Sequence, residues 1–109
     1  MNNSVLTMSL VFVALPLFGQ TDDKQTGKGR DVFAEYCIGC HGPDGRAETE
    51  MSKKVGAADL TSGAVQQQSD SHLHTVIRDG KGKMPSFSQK LSDSEISSVI
   101  AYVRQMAQR

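Results

Sequence analysis

Two cysteines three residues apart with a histidine directly after the second, Cys37-Ile38-Gly39-Cys40-His41, constrain this chain more than any other stretch. That order of side chains is the attachment arrangement for c-type haem, in which both sulfurs bond to the porphyrin edge and the histidine ligates iron. Geometry accounts for the spacing. At the end of a helix, residues three apart share a face, so both sulfurs reach one edge of a flat macrocycle while the next side chain turns under the ring. A bare C-x-x-C pair also serves as a redox dithiol, a structural disulfide or half a zinc site, the last completed here by His41 and one of His72 or His74. None of these uses requires a histidine directly after the second cysteine. A thioredoxin-like pair would start a helix after a strand, whereas a helical pattern precedes Cys37.

The 109 residues hold one small domain. Val5 to Phe18 is an apolar run of signal-peptide length, too short to span a bilayer comfortably, and Gly19 supplies a small residue for cleavage. Residues 1–19 are therefore expected to be an export signal and residues 20–26 a polar, disordered lead-in. The n-region carries no Lys or Arg, so an uncleaved interfacial anchor is the alternative. Removing 19 of 109 residues leaves 90, a size at which side chains alone make a marginal core. A buried haem would supply much of the missing apolar contact. Twelve basic and twelve acidic residues cancel, which gives no basis for binding nucleic acid or an anionic membrane surface. Locally, Arg78, Lys81, Lys83 and Lys90 outnumber Asp79, a docking patch or an ordinary solvated loop.

From Gly27, Val32, Phe33, Tyr36, Cys37 and Cys40 recur at helical spacing, with Gly29 one turn before Phe33, where a missing side chain lets another helix cross closely. Gly42-Pro43-Asp44-Gly45 stops this helix. Residues 46–55 suit a short polar helix, and residues 56–63 a loop with Leu60 as inward anchor. Ser69 or Asp70 caps a helix that runs to Asp79, with Leu73, Val76 and Ile77 on one face and Gly80 just past its end. His72 and His74 fall on its polar side. In GKGKMPSF, residues 80–87, glycines let the backbone pass close to a flat ligand and Met84 can offer a thioether to iron opposite His41. The last helix is the clearest. Ser92 and Glu95 form a capping box, Leu91 and Ile96 a staple, and Ile96, Val99, Ile100, Val103 and Met106 or Ala107 a buried stripe.

These motifs resemble the class I cytochromes c over residues 27 to 108: Gly29, Phe33, Cys37, Cys40 and His41 at the first helix, GKGKMPSF at the ligand loop, and residues 99–103 in the last helix. The resemblance implies an all-α cytochrome c fold of three to five helices around one haem c, with the terminal helices crossing at Gly29, Phe33 and Tyr102. It implies thioethers from Cys37 and Cys40, axial iron ligands His41 and Met84, and attachment outside the bacterial cytoplasm, in the periplasm. Many family members carry a proline whose carbonyl accepts a hydrogen bond from the proximal histidine. Here the corresponding loop is Ala57-Ala58-Asp59-Leu60, which leaves that acceptor unassigned.

Methionine opposite histidine closes the coordination sphere, and a soft sulfur favours reduced iron. The expected function is one-electron transfer between redox partners by a domain of residues 27–109 that is not an enzyme. An oxidase, a quinol-oxidising complex, a dehydrogenase or a reaction centre would each fit as partner, with a monomer docking transiently and without stable membrane insertion. The rival reading is a haem sensor or peroxidase-like enzyme whose iron is open or bound by two histidines.

Overall fold

The computed structural model describes residues 4, 7–14 and 23–109. Residues 1–3, 5–6 and 15–19 of the expected export signal, with its cleavage position at Gly19, lie outside them. Residues 7–14 carry no regular structure and expose their side chains. Six helices and no strand occur among the described residues: α1 (Asp23–Tyr36), α2 (Ile38–His41), α3 (Glu50–Val55), α4 (Gly63–Gln66), α5 (Asp70–Asp79) and α6 (Asp93–Met106). Against the expected three to five helices, α2 is set off from α1 as a separate short segment because Cys37, at φ −116°, interrupts what is otherwise one helix. No helix of the described residues is long and apolar enough to cross a membrane.

The core forms where α1 crosses α6. Val32 and Phe33 from α1 meet Ile96, Val99, Ile100, Tyr102 and Met106 from α6, and Phe87 and Leu91 close the cluster from the loop before α6. Phe33 and Tyr102 pack as tilted rings with centroids 5.5 Å apart. Gly29 makes the crossing possible. A Cβ there would lie 2.0 Å from the Ser98 carbonyl oxygen, so only a bare Cα fits. The same crossing corrects the expected lead-in, because α1 begins at Asp23 and buries Thr26, so residues 23–26 belong to the helix. Gly27 and Gly29 would weaken an isolated helix, but burial against α6 outweighs their low propensity.

Side-chain caps define the other ends. Thr49, Ser62, Ser69 and Ser92 each accept a hydrogen bond from the backbone N–H three residues on. Glu95 completes the box by accepting the Ser92 N–H at 3.1 Å. Arg104 on α6 clamps the α4–α5 connection: its guanidinium donates to the Gln66 carbonyl, the Gln68 carbonyl and Asp70 Oδ1. Gln66 Nε2 in turn donates to the Leu60 carbonyl at 2.7 Å, which fixes the loop opposite the cysteines.

Candidate haem site

The attachment turn grows directly out of α1. The Cys37 N–H bonds the Phe33 carbonyl at 2.9 Å, and the His41 N–H bonds the Cys37 carbonyl at 3.0 Å, so the two sulfurs and the imidazole emerge within one turn of each other. Gly42, at φ 81°, then reverses the chain. The return is locked by Asp44 Oδ1, which accepts the Arg46 N–H, and by the Ala47 N–H, which bonds the His41 carbonyl at 2.9 Å.

Both cysteines are free thiols, Cys37 half-buried and Cys40 exposed. Burial pushes the Cys37 thiol up to about 11, with the neighbouring Cys40 adding in the same direction. A raised thiol is a poor attacking thiolate, which weighs against a dithiol redox catalyst, where the attacking cysteine is lowered. Among the described residues no group of three or more His, Cys, Asp or Glu is placed to hold a metal ion. His74 is engaged elsewhere, its Nε2 lying 3.6 Å from Asp93 Oδ1 on α6. It is thus half-buried between helices and not simply on a solvated face. His72 is exposed.

His41 Nδ1 lies 2.9 Å from the carbonyl oxygen of Ala58. A carbonyl only accepts, so Nδ1 is the donor, and in the neutral ring this leaves Nε2 with the lone pair that a metal-ligating histidine needs. The missing proline is thereby resolved: Ala58 supplies the acceptor from the same loop position. Its carbonyl is held by neighbours on both sides. The Ala57 N–H bonds the Ser52 carbonyl, and the Leu60 N–H bonds Gly45. Asp59 Oδ1 accepts from both the N–H and the hydroxyl of Thr61, and these bonds hold its carboxyl below the usual range.

Met84 ends a tight turn in which Lys81 and Met84 exchange both backbone hydrogen bonds, at 2.9 and 3.0 Å. Gly80 permits it. With φ 81° and the Met84 carbonyl 2.8 Å from where a Cβ would stand, no other residue fits without strain. The loop then folds back on α5, whose terminal carbonyls at Ile77 and Arg78 accept from Phe87 and Ser88. Met84 is half-buried and packs on the core together with Tyr36, Cys37, Leu60, Leu73 and Ile77. Met106, by contrast, is 3% exposed within the core, and Met51 is exposed. Within the basic stretch, Arg78 pairs with Asp79 at 2.9 Å and Lys90 lies over the Phe87 ring. Lys81 and Lys83 remain exposed beside Met84.

The donor set fits haem c: two unpaired thiols, an imidazole with Nε2 available, a half-buried thioether, and a rim of half-buried apolar side chains around a core that is marginal without a further apolar group. The comparisons agree. Residues 24–103 match the model of the family described as cytochrome C oxidase, cbb3-type, subunit III. The chain is 37% identical over 75 residues to cytochrome c6 of Bryopsis maxima, covering 69% of this chain and 84% of that one. It is 34% identical over 107 residues to the cbb3-type cytochrome c oxidase subunit CcoP of Rhodobacter capsulatus, covering 89% of this chain but only 35% of that subunit. The solved structure of the KustC0563 c-type cytochrome superposes with a TM-score of 0.65 at 28% identity, over 72% of this chain and 95% of that one.

Proposed function

From a chain that belongs to the class I c-type cytochromes, we propose a one-electron carrier holding a single haem c, attached through Cys37 and Cys40 and ligated axially by His41 and Met84. The family implies haem c and electron transfer. The ligand set, the two thioethers to one haem and the absence of turnover go beyond what the family implies. When bound, the haem supplies an iron that alternates between Fe(III) and Fe(II).

The chain's residues do the rest. Ala58 fixes the tautomer and orientation of His41, which raises the basicity of the ligating nitrogen. Gly80 and the Lys81–Met84 turn hold the thioether without strain. The core behind them buries Phe33, Tyr102 and Phe87 in close packing, which favours a change of charge at the site without large rearrangement. The observation that carries this reading is the His41–Ala58 hydrogen bond directly beside two free thiols.

Residues 1–19 act in this reading as an export leader that delivers the domain to the periplasm, where it docks transiently with redox proteins as a monomer. The chain spans about a third of the CcoP subunit, so no property of that whole subunit transfers. The likeness still makes a terminal oxidase the first partner to assay, ahead of a quinol-oxidising complex, a dehydrogenase or a reaction centre.

The test is covalent stoichiometry. Holo-protein matured with a haem-attachment system is expected to gain the mass of one haem, retained after acid–organic extraction. Cys37→Ser and Cys40→Ser are each expected to lose one thioether, read as a shift of the reduced pyridine-haem band. Extraction of all haem from the unaltered protein would refute attachment.

A further inference from the structure

We propose that Ser52, on α3 and outside the ligand set, is a positioning residue for His41; this rests on His41 being the iron ligand as read above. Ser52 is 1% exposed, the most buried polar side chain among the described residues. Its Oγ bonds the carbonyl of Cys40 and lies 2.8 Å from Thr49 Oγ1. Because a carbonyl only accepts, the single hydroxyl proton of Ser52 goes to Cys40, and Thr49 must donate its own to Ser52. Thr49 Oγ1 meanwhile accepts the Ser52 backbone N–H at 3.0 Å. The order of protons is therefore fixed: Thr49 to Ser52 to the Cys40 carbonyl.

That carbonyl belongs to the peptide joining Cys40 to His41, in the last turn of α2, where carbonyls lack partners within the helix. The backbone carbonyl of Ser52 engages the loop that carries the acceptor of His41. It accepts the Ala57 N–H at 2.9 Å, and the next residue, Ala58, accepts His41 Nδ1–H. One buried residue thus ties down both the backbone that carries the ligand and the backbone that carries its acceptor. The tie matters more in this chain because Ala58 lacks the ring that would stiffen a proline at this place. Loosening it weakens the Nδ1–H bond, makes the imidazole a less basic ligand and favours the reduced state.

The experiment compares holo-protein of Ser52→Ala and Thr49→Val with Ser98→Ala. Ser98 is a second buried serine, 5% exposed, whose hydroxyl bonds Ser94 within α6 and touches no part of the site. Reduction potential and the exchange rate of the His41 Nδ1 proton are read alongside thermal stability. Ser52→Ala is expected to raise the potential, shifting the oxidised-to-reduced ratio at fixed poise about threefold (~28 mV at 59 mV per tenfold for one electron), and to speed Nδ1–H exchange. Thr49→Val is expected to move both in the same direction by less, and Ser98→Ala to lower stability alone. The proposal is overturned if Ser52→Ala loses stability while potential and exchange stay at the unaltered values, or if Ser98→Ala moves them equally. Should Ser52→Ala not mature, an unchanged potential in Thr49→Val overturns it. A His41→Ala variant with an unaltered haem spectrum would instead sink the ligand reading, and this proposal with it.

Discussion

Replacing Gly29 by alanine tests the packing on which the whole site is hung. The added Cβ would stand 2.0 Å from the Ser98 carbonyl oxygen, 2.6 Å from its carbon and 2.9 Å from Tyr102 Cβ. Ordinary contact begins at 3.4 Å, so α1 and α6 must part by 1.4 Å (3.4 less 2.0) or tilt to the same effect. The obstruction is backbone and cannot swing aside. A gap of 0.5–1 Å already forfeits roughly a quarter to a half of each dispersion contact, and the losses fall on Phe33, Val99 and Tyr102. We set the interface cost at ~3 kcal/mol, the upper part of the overpacking range. Alanine returns ~1 kcal/mol of helix propensity. The net loss of ~2 kcal/mol lowers Tm by roughly 8–16 °C in a domain of this size. Circular dichroism melting of the holo-protein measures it. Gly27→Ala is the control, since its Cβ would meet nothing within 4 Å, and the same ~1 kcal/mol of propensity is expected to raise Tm by about 4–8 °C. A Gly29→Ala protein as stable as the unaltered one would refute the close crossing.

Three further outcomes follow from local geometry. Ala47 holds φ 56° to aim its N–H at the His41 carbonyl, so Ala47→Gly is expected to gain ~0.5–1 kcal/mol in chemical denaturation. The Asp59 carboxyl is lowered by its bonds to Thr61. Its stabilisation is therefore full above the unfolded value of about 3.9 and is lost as pH falls through the lower folded value, so Asp59→Asn is expected to flatten Tm against pH in the acid range. Gly80→Ala would set a Cβ 2.8 Å from the Met84 carbonyl and is expected to loosen the ligand loop, read as earlier thermal loss of the sulfur–iron absorption band.

Where side chains carry their own signal, the sequence was sufficient. The capping box at Ser92 and Glu95, the stripe from Ile96 to Met106, and Gly29 facing that stripe are all found as read. Leu60 packs on the core as the inward anchor, and Gly80 follows α5. What was illegible depends on the backbone or on tertiary contact. The acceptor for His41 is the main-chain carbonyl of Ala58, and a carbonyl belongs to every residue, so no side chain announces it. Ser52 looks like one more polar residue of a short surface helix until its hydroxyl is seen on Cys40. The start of α1 at Asp23 defied two glycines because α6 buries that turn. Arg104 gives no sequence signal of its partners, yet its fork closes on Gln66, Gln68 and Asp70.

Electron transfer as proposed rests on His41 and Met84 together closing the coordination of a covalently held haem. That closure is tested most directly by the far-red absorption of oxidised holo-protein, where charge transfer from methionine sulfur to ferric iron gives a weak band. The band is expected in the unaltered protein and in Met51→Ala, and is expected to be absent in Met84→Ala. A haem-loaded protein without the band, or one that keeps it in Met84→Ala, would contradict the ligand assignment and return the open-iron and two-histidine readings to the front.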